Sequence, residues 1–361
     1  MEDMIICNAV PVYEEAPVSS MLLKENRKKV LESLLMTPAR TRCLIVPEGE
    51  WTGDKPEGLT VIESEDKAGF TYGNHSALKK VAEGEKPIPT CGNGPFSSGE
   101  NRVVTVEELL NDNKKVYVGG KAVKTGFLNL KRKTTPGEIL AAAGVQGIFK
   151  AMYLGHPMGI FINETMLDQP VELTTDYIEI LNETDCILDY LMKTADRYAK
   201  ESCGRCTFGH EGVFQIQMIL TDILLKKGKV SDLELVLDLF REMKQQSLCE
   251  IGFSIANAAE SAVDGFKSEI EEHITRKSCK AGVCRKFLTF HILPDLCTGC
   301  GECMDACEDD AILGKKKFIH VIDQDECTQC GSCLKACEEQ AIIKAGVDKP
   351  KGPKKPVPCK R

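Results

Sequence analysis

Eight of the chain's eighteen cysteines form two copies of one pattern that could carry electrons. Each copy reads C-x2-C-x2-C-x3-C, first in residues 297–307 and again in residues 327–337. Three closely spaced thiolates can hold three corners of a [4Fe–4S] cluster, and the fourth cysteine of such a pattern ligates the other cluster. The spacing therefore predicts two crossed ligand sets: Cys297, Cys300, Cys303 and Cys337 for one cluster, and Cys327, Cys330, Cys333 and Cys307 for the other.

A zinc site is the alternative for a single run of this kind, because C-x2-C pairs also build zinc ribbons. Two tandem runs, each followed by an Ala-Ile pair that can pack on a cluster, favour iron and sulfur. The duplicated pattern is typical of bacterial two-cluster ferredoxins, which transfer electrons one at a time. Residues 297–341 hold ten acidic residues and four lysines, so this segment is expected to dock on a basic partner.

The overall composition excludes several classes of protein. The chain has 361 residues and a net charge of -8, which argues against nucleic-acid binding. It has no apolar stretch of about 20 residues, and its acidic start does not resemble a secretory signal. Cysteines in cluster-type spacing indicate a reducing compartment, so a cytoplasmic location without disulfides is expected. No spacing suggests a Ser/His/Asp or Cys/His nucleophile, and no catalytic residue is assigned.

The elements that must position these cysteines indicate an α+β multidomain chain. Residues 1–98 alternate apolar strands and helical stretches, and a strand-rich segment with one helix follows, as in a ubiquitin-like β-grasp module. Periodic apolar residues then predict a helical bundle. The predicted segments are an α/β unit (1–98), the β-grasp module (99–182), the bundle (183–276), the ferredoxin domain (285–345) and a basic, disordered tail (346–361).

Helix-start signals mark several of these elements. Thr135 with Pro136 predicts an N-cap followed by a first turn. Thr184 is a second candidate N-cap, and Ser231 with Glu234 is typical of a capping box. These signals place one helix inside the β-grasp segment and at least two in the bundle.

A second cysteine constellation surrounds the bundle, in the segments ESCGRCTFGHEG and SLCEIG. Here the chain resembles the NADH-oxidising flavoprotein subunit of respiratory complex I and its relatives in bifurcating hydrogenases and formate dehydrogenases. That family holds one [4Fe–4S] cluster with the motif E-S-C-G-x-C-x-P-C-R-E-G and a later S-L-C-x-x-G. The resemblance places three of its ligands on Cys203, Cys206 and Cys249. The remaining family cysteine falls on Gly209, beside His210.

Three interpretations of this constellation stay open. His210 could complete an iron–sulfur site, because imidazole replaces thiolate at some cluster irons. Three cysteines and one histidine are also a common structural zinc set. Alternatively, the cysteines could pack as small apolar residues in a site that binds nothing.

The resemblance also implies that residues 1–98 are a truncated remnant of a domain that binds FMN and NADH. The family's glycine-rich loop is missing, and its acidic pair after Asn8 is replaced by Val10 and Pro11. Two further family glutamates are replaced by Asn74 and His75. Phosphate groups need converging backbone N–H groups, for which the turn CGNGP (91–95) is a weak candidate. FMN and NADH binding are therefore not expected, and the remnant is expected to serve as a packing platform.

The join between the bundle and the ferredoxin domain contains His273, Cys279 and Cys284. Hydrogenase-type relatives look similar at this join, where such residues can hold a zinc hinge, with a fourth ligand from elsewhere in the chain. Packed thiols are the alternative. Other cysteines and histidines are assigned no ligand role: Cys7, Cys43, Cys91 and Cys186 are expected in the core, Cys359 as an exposed thiol, and His291 and His320 as structural residues.

These patterns together predict an electron-transfer subunit of a cytoplasmic, multi-subunit oxidoreductase in an anaerobic-type metabolism. Its cofactors would be two [4Fe–4S] clusters, with a third cluster or zinc as further options. Its partners would be flavin- or metal-bearing subunits of hydrogenase, formate dehydrogenase or NAD(P)H-flavin type, without nucleic acid or membrane span. One alternative is an FMN-containing NADH dehydrogenase subunit with a rebuilt flavin site. Another is an assembly scaffold with structural clusters.

Overall fold

A computed structural model describes residues 2–91, 101–110, 113–121, 123–145, 147–346 and 349–359. The chain divides into two compact units. The first unit comprises Met1–Glu183, Leu191–Met218 and Leu233–Phe266, and the second comprises Thr184–Tyr190, Ile219–Asp232 and Lys267–Arg361. Helices from the middle of the chain contribute to both units, so the units do not follow the boundaries predicted from sequence. Within the described ranges, no helix is both long and apolar enough to cross a membrane.

The first unit begins with a parallel sheet of order β3-β2-β1-β4. Its strands are β1 (Glu2–Asn8), β2 (Ala39–Val46), β3 (Thr60–Glu63) and β4 (Asn101–Thr105). Its helices are α1 (Val18–Glu25), α2 (Arg27–Met36), α3 (His75–Ala82) and α4 (Val106–Leu110). Ile5 and Cys7 of β1 pack in the apolar cluster that contains α1, α2 and α4 residues. Ile6 packs with α3, so both faces of the sheet are covered, as parallel strands require.

A second, mixed sheet in the same unit has the order β6-β5-β11-β8-β9. Its strands are β5 (Lys114–Gly119), β6 (Gly126–Leu130), β8 (Phe149–Leu154), β9 (Ile160–Ile162) and β11 (Tyr177–Asn182). The strands β7 (Lys133–Thr134) and β10 (Val171–Glu172) form a separate antiparallel pair. In the sheet, β5 and β11 are parallel, whereas the other neighbouring strands are antiparallel.

One helix, α5 (Pro136–Ala143), packs on this sheet and begins as predicted. The Thr135 hydroxyl accepts a hydrogen bond from Glu138 N at 3.2 Å, and the Glu138 carboxylate accepts one from Thr135 N at 2.9 Å. This reciprocal capping box satisfies two N–H groups that the first turn would otherwise leave without a partner. Ile139 of α5 is completely buried in the core of the sheet.

Four longer helices follow: α6 (Ile187–Glu201), α7 (Thr207–Leu224), α8 (Ser231–Gln246) and α9 (Glu250–Thr275). Two predicted starts are displaced. Helix α6 begins at Ile187, whose N–H donates to the Glu269 carboxylate at 3.0 Å, rather than directly after Thr184. Helix α8 already includes Ser231, and the carboxylate of Asp232 accepts from Lys229 N at 2.8 Å, so the predicted Ser231–Glu234 capping box does not start this helix.

The C-terminal part of the second unit is a duplicated structure built from short elements. Its strands are β12 (Thr289–Ile292), β13 (Ile312–Leu313), β14 (Phe318–Ile319), β15 (Val321–Ile322), β16 (Ile342–Ala345) and β17 (Val357–Pro358), and its helices are α10 (Glu302–Asp305) and α11 (Ser332–Ala336). The repeat offset is 30 residues (327 − 297 = 30). Equivalent backbone hydrogen bonds join Leu293 N to Ala341 O at 2.7 Å and Asp323 N to Ala311 O at 2.8 Å.

The basic segment after the repeat differs from the disordered tail that its composition predicted. Its strand β17 pairs antiparallel with β14, through Phe318 with Pro358 and Ile319 with Val357. Cys359, which was expected to be an exposed thiol, is half-buried, and its N–H donates to Lys317 O at 2.9 Å. Proline and lysine content favours disorder in isolation, but an unpaired strand edge on β14 gives this segment a place to pair.

Candidate metal centres

The first predicted cluster set lies around one cavity of the second unit. Cys297, Cys300, Cys303 and Cys337 all line it, together with Ile292, Ala341 and Ile342. Burial raises the pKa of Cys303 to about 12, and repulsion from neighbouring thiolates adds to this increase. Those neighbours are Cys297, Cys300 and Cys337, followed by Cys333. Three cysteines from one copy of the repeat and one from the other therefore converge.

The second predicted set shows the reciprocal arrangement. Burial raises the pKa of Cys333 to about 11, and three nearby thiolates contribute to the increase. These are Cys327, Cys330 and Cys307. Four thiolates crowded together at a partly buried position repel one another, and bound iron would remove that repulsion. The donor set therefore fits a [4Fe–4S] cluster at each position.

The loops that carry the triplets need glycine at one equivalent position. Gly301 has φ +102° and Gly331 has φ +82°, and each stands directly before a short helix that carries the third cysteine. L-residues with a side chain seldom adopt this conformation. The glycine turns the chain sharply between the second and third cysteine, which brings the three thiols to one side of the loop.

Polar groups that can form hydrogen bonds lie beside the sulfur atoms of both sets. Ala341 N donates to Cys337 Sγ at 3.3 Å, and Ser332 Oγ lies 3.5 Å from Cys330 Sγ. The Nδ1 atom of His320 lies 3.2 Å from Cys303 Sγ. Burial lowers the pKa of His320, and a hydrogen bond with the backbone of Lys315 partly opposes this shift. His320 was expected to be structural, and its place beside a predicted ligand was not foreseen.

In the first unit, the structure brings Cys203, Cys206 and Cys249 together near the starts of α7 and α9. Burial, together with the charges of Glu250, Cys203 and Cys206, raises the pKa of Cys249 to about 12. His210 Nδ1 lies 3.0 Å from Ser202 Oγ, and its ring packs edge-on against Phe214 at 5.0 Å between centroids. Neither contact of His210 is with a cysteine.

The position of the missing family cysteine is occupied tightly. A Cβ added to Gly209 would lie 2.6 Å from Cys206 Sγ and 3.7 Å from Ser247 Oγ. Ser247 is buried, and its hydroxyl has no hydrogen-bond partner within the described structure. An unpaired buried hydroxyl is costly unless it has a ligand or water to bind. Ser247 is thus a second candidate donor besides His210, and only the serine of SLCEIG hinted at it in the sequence.

A four-ligand site in the second unit has the geometry of a single metal ion. The Sγ atoms of Cys186, Cys279 and Cys284 and a ring nitrogen of His273 all lie within 4.8 Å of one another. Each of these residues is at most 3% exposed. Cys186 Sγ and Cys284 Sγ are 3.5 Å apart, which is too long for a disulfide bond of about 2.05 Å. Among the residues whose placement is described, this is the one compact group of this kind.

The imidazole of His273 is oriented as a metal ligand would be. Its Nδ1 lies 2.8 Å from the backbone carbonyl of Glu269, so Nδ1–H donates and Nε2 faces Cys186 at 3.4 Å and Cys284 at 3.5 Å. A backbone carbonyl on the outer nitrogen is the usual support for a histidine that binds zinc. The donor set therefore fits zinc, whose tetrahedral ligands at about 2.0–2.3 Å leave sulfur atoms slightly under 4 Å apart.

Electrostatics at this group also favour a cation. Burial alone would lower the pKa of His273, but hydrogen bonds with Cys186 and Cys279 raise it to about 10. Hydrogen bonds from Cys186 and Cys284 lower the pKa of Cys279. The surroundings thus favour a negatively charged thiolate at Cys279 next to a positively charged group. Cys186 was predicted to be a plain core residue; it is buried, and it also lies in the compact group with His273, Cys279 and Cys284, where it is a candidate for the fourth ligand that the sequence left unassigned.

The remaining unassigned cysteines have ordinary surroundings. Cys7 and Cys43 are buried in the core of the parallel sheet, as predicted. Cys91, expected in the core, is exposed instead. The candidate phosphate turn 91–95 lies outside the described residues after Cys91.

Residues that the resemblance aligns with nucleotide-binding motifs form hydrogen bonds with backbone groups in this structure. Asn8 Oδ1 accepts from Val10 N at 3.0 Å, and its Nδ2 donates to Tyr72 O at 2.9 Å. Asn74 Oδ1 accepts from Ala77 N at 3.0 Å and so caps α3. Both side chains therefore stabilise loops that position the parallel sheet.

A cavity of about 340 Å³ lies beside these residues in the first unit. Its charged lining residues are Glu107, Glu108, Asp176 and Glu250 opposite Lys114 and Arg132. Lys114 Nζ is already paired with Glu107 at 2.9 Å and with Asp176. The cavity therefore has an acidic excess, which disfavours a phosphate group.

Two family models match the parts of the chain that carry candidate iron–sulfur ligands. Residues 189–273 match the family described as the NADH-ubiquinone oxidoreductase-F iron-sulfur binding region. Residues 296–341 match the 4Fe-4S dicluster domain. The resemblance and the two-cluster domain predicted from the cysteine spacing are confirmed. The chain carries two iron–sulfur binding regions, and the second is built for two [4Fe–4S] clusters.

Individual relatives extend this likeness. Over 182 residues the chain is 33% identical to NADP-reducing hydrogenase subunit HndC of Solidesulfovibrio fructosivorans, a match that covers 48% of this chain and 37% of that protein. Over 107 residues it is 35% identical to an NADH-quinone oxidoreductase subunit of Streptomyces coelicolor, a match that covers 30% of this chain and 24% of the relative. The chain thus spans well under half the length of these relatives.

A solved structure shares the fold. The crystal structure of an NAD+-reducing [NiFe]-hydrogenase in its H2-reduced state superposes with a TM-score of 0.64 at 18% identity. The match covers 76% of this chain and 57% of the hydrogenase chain. At this identity the likeness concerns the mixed α/β fold alone.

Proposed function

We propose that this chain is an iron–sulfur electron-transfer subunit of a multi-subunit oxidoreductase. The observation that carries the proposal is the convergence of Cys297, Cys300, Cys303 and Cys337 on one cavity, with a matching second set. When bound, [4Fe–4S] clusters accept and release single electrons. The protein supplies thiolate ligands, a partly apolar surround and N–H or O–H donors that face the sulfur atoms.

Its partners are proposed to be subunits that bear a flavin or a metal site. The two named relatives are subunits of an NADP-reducing hydrogenase and of an NADH-quinone oxidoreductase, and this supports a place in a similar assembly. The described ranges contain no assigned substrate-converting residues, so electrons would enter from one partner and leave to another. A cytoplasmic location is proposed because exposed cluster cysteines, such as Cys300 and Cys330, need a reducing compartment.

Two structural modules are proposed to support this role. The five-stranded sheet β6-β5-β11-β8-β9 with α5 has one parallel central pair and antiparallel outer pairs, which supports a β-grasp assignment. The group Cys186, His273, Cys279 and Cys284 is proposed to hold structural zinc. It would join the chain before α6 to the chain after α9 within the second unit.

The third candidate site, Cys203, Cys206 and Cys249, is proposed to hold a [4Fe–4S] cluster rather than zinc. The charges of Cys203 and Cys206 affect the pKa of Cys249, so the three thiols lie near one another. Among the described residues, however, they do not form the compact single-ion geometry seen at the Cys186 group. The predicted cluster cysteines of the dicluster domain also lack that compact geometry. Either His210 or Ser247 would be the fourth donor.

Anaerobic purification of the full chain tests the function directly. Iron, sulfide, zinc and flavin are counted on one sample, which is then reduced stepwise and followed by electron paramagnetic resonance. At least eight iron atoms per chain are expected, about four per cluster, with each cluster reversibly accepting one electron. Clusters that cannot be reduced without falling apart would favour the scaffold alternative. Absence of iron would refute the proposal.

An FMN-containing NADH dehydrogenase subunit remains a second candidate because of the 340 Å³ cavity, which Glu250 lines directly after Cys249. The acidic lining argues against it. Incubation of the anaerobic chain with FMN, followed by desalting, should leave no stoichiometric yellow chromophore. Retained FMN that is bleached by NADH would establish the second candidate instead.

A further inference from the structure

The two halves of the dicluster domain differ at one equivalent position that faces the cysteines. Phe290 precedes the first cysteine of its triplet by seven residues, and so does His320 (297 − 290 = 7; 327 − 320 = 7). Phe290 belongs to β12, and His320 stands between β14 and β15. Both rings are buried, with 5% and 1% exposure. The repeat therefore replaces an apolar ring in one half with an imidazole in the other.

Phe290 packs against the second triplet. A Cβ added to Gly331, between the second and third cysteine of that triplet, would lie 3.4 Å from Phe290 Cζ. Phe290 belongs to the apolar cluster that contains cysteines of both sets. A phenyl ring has no N–H or O–H group to donate. The side chain at this position thus covers the Cys327, Cys330, Cys333 and Cys307 set without a hydrogen bond to it.

His320 makes a polar contact with the first triplet instead. Its Nδ1 lies 3.2 Å from Cys303 Sγ, and its ring lines the cavity that holds the first set. A thiolate bound to iron carries no proton, so in the loaded protein Nδ1–H must be the donor. The opposite atom, Nε2, is buried and has no hydrogen-bond partner among the described residues.

We infer that His320 makes the cluster held by Cys297, Cys300, Cys303 and Cys337 the higher-potential member of the pair. Reduction adds one negative charge, which the iron and its sulfur ligands share. An N–H donor to a ligand sulfur stabilises that added charge, whereas Phe290 offers none. Each set also has a further polar contact, Ala341 N with Cys337 Sγ in the first and Ser332 Oγ with Cys330 Sγ in the second, so the exchanged ring is the difference at this equivalent position. With both clusters bound, one electron would therefore pass from the cluster held by Cys327, Cys330, Cys333 and Cys307 to the cluster held by Cys297, Cys300, Cys303 and Cys337. The first cluster would lose that electron, the second would gain it, and no proton would be transferred. The inference rests on the proposed electron-transfer function.

Exchange of the two rings in the full chain tests it. The variants are His320→Phe, Phe290→His and the double exchange, each titrated anaerobically and followed by electron paramagnetic resonance. His320→Phe should lower only the higher potential and reduce the equilibrium preference for that cluster by about tenfold. Phe290→His should raise the lower potential. His320→Gln retains an N–H donor and should preserve most of the wild-type difference, which a purely space-filling role would not predict.

A measurement on the unaltered chain covers the case in which a variant loses a cluster. With ¹⁵N-labelled histidine, pulsed resonance should detect nitrogen coupling to the cluster that is reduced first and not to the other. Two reducible clusters without such coupling, or with potentials unchanged in His320→Phe, would overturn the inference and leave the proposed function intact. Failure to find two reducible clusters in the unaltered chain would instead refute the function on which it rests.

Discussion

At the scale of single residues, the fourth cysteine of each run determines how the two halves depend on one another. Cys307 and Cys337 follow their own triplets in sequence, yet Cys337 shares a cavity with Cys297. Cys307 contributes to the raised pKa of Cys333. Each half of the repeat therefore places its fourth cysteine beside the triplet of the other half.

Replacement of Cys307 by Ala is expected to damage the cluster built on Cys327, Cys330 and Cys333, because that set keeps only three thiolates. Iron should fall by up to about four atoms per chain, and one reduced-cluster signal should disappear. Cys337→Ala should remove the other signal. Cys91→Ala, which removes an exposed cysteine outside both sets, is the control and should change neither. Loss of the Cys297-based signal in Cys307→Ala would refute the crossed assignment.

At the third candidate site, formed by Cys203, Cys206 and Cys249, mutation can identify the residue that supplies the fourth donor atom. If His210 is the fourth ligand, His210→Ala should remove or alter a third iron–sulfur signal and leave the dicluster signals unchanged. Total iron should then fall from about twelve toward eight atoms per chain. Ser247→Ala is the matched comparison, because the Ser247 hydroxyl is buried without a partner in the described structure. If Ser247 is the donor, Ser247→Ala should remove or alter the third signal, whereas His210→Ala should leave it unchanged. Iron near eight in the unaltered chain, without a third signal, would mean that this site binds no cluster.

At the scale of elements, the Cys186 group brings together residues from two segments of the second unit. Cys186 directly precedes α6, His273 lies near the end of α9, and Cys279 and Cys284 lie in the loop after it. Glu269 of α9 accepts from the first N–H of α6 and from Nδ1 of His273. The carboxylate of Glu269 thus orients the start of α6, and its backbone carbonyl orients the His273 ring.

Cys284→Ser is expected to reduce zinc from about one atom per chain to none and to destabilise the second unit by several kcal/mol, since bound structural zinc contributes folding free energy. Thermal unfolding and metal analysis measure both effects. Cys43→Ser is the control, because it makes the same chemical change outside the candidate metal group. Cys43 is 2% exposed and Cys284 is 3% exposed, so the two positions are equally buried. The control should cost only the burial of a hydroxyl, about 1–3 kcal/mol, and leave the zinc content unchanged. Equal effects of the two variants would argue for packed thiols.

Zinc binding at this group should release protons at pH 7. Hydrogen bonds raise the pKa of His273 to about 10 against the opposing effect of burial, so the metal-free ring is protonated. Zinc must displace that proton, and its affinity should rise as pH increases from 7 toward 10 and fall in acid. Calorimetry of zinc addition in two buffers with different ionisation enthalpies measures the number of protons released. Equal heats in both buffers would contradict the predicted competition.

At the scale of the whole molecule, charge distribution should govern docking. Residues 297–341 carry ten acidic side chains and four lysines, within a chain of net charge -8. Exposed cluster cysteines such as Cys300 and Cys330 lie in this same segment. Electron transfer requires close approach to them, so a basic surface on a partner would be attracted to the right part of the chain.

Electron transfer to the partner protein is therefore expected to slow by about tenfold or more between roughly 0.02 and 0.5 M salt, because exposed charges are screened. Stopped-flow absorbance of the clusters measures the rate. Glu308→Gln together with Glu338→Gln should weaken the salt dependence, whereas Glu32→Gln, outside the dicluster domain, should not. A rate that is independent of salt, or a chain that native mass measurement finds only as a free monomer in its source cell, would contradict docking through this face.

The sequence by itself determined those features that local spacing can encode. Each cysteine triplet lies within seven residues, so the chain alone brings its thiols together, and the duplication supplied the partner of each fourth cysteine. The capping box at Thr135 and Glu138 is local for the same reason. The two iron–sulfur regions could therefore be predicted from sequence before any fold was known.

Only the tertiary structure decided which distant residues share a site. Cys186 lies 87 residues before His273, and no spacing rule connects them until α6 and α9 pack. His320 reaches Cys303 through the fold of the repeat. Two residues of the basic tail, Val357 and Pro358, form a short strand because they pair with β14, which composition cannot encode. Metal ligands that are close together in the chain form a recognisable spacing pattern in the sequence. A ligand that reaches its site only through tertiary packing, by contrast, looks in the sequence like an ordinary core residue. That is why the two clusters could be predicted and the candidate zinc site could not be completed.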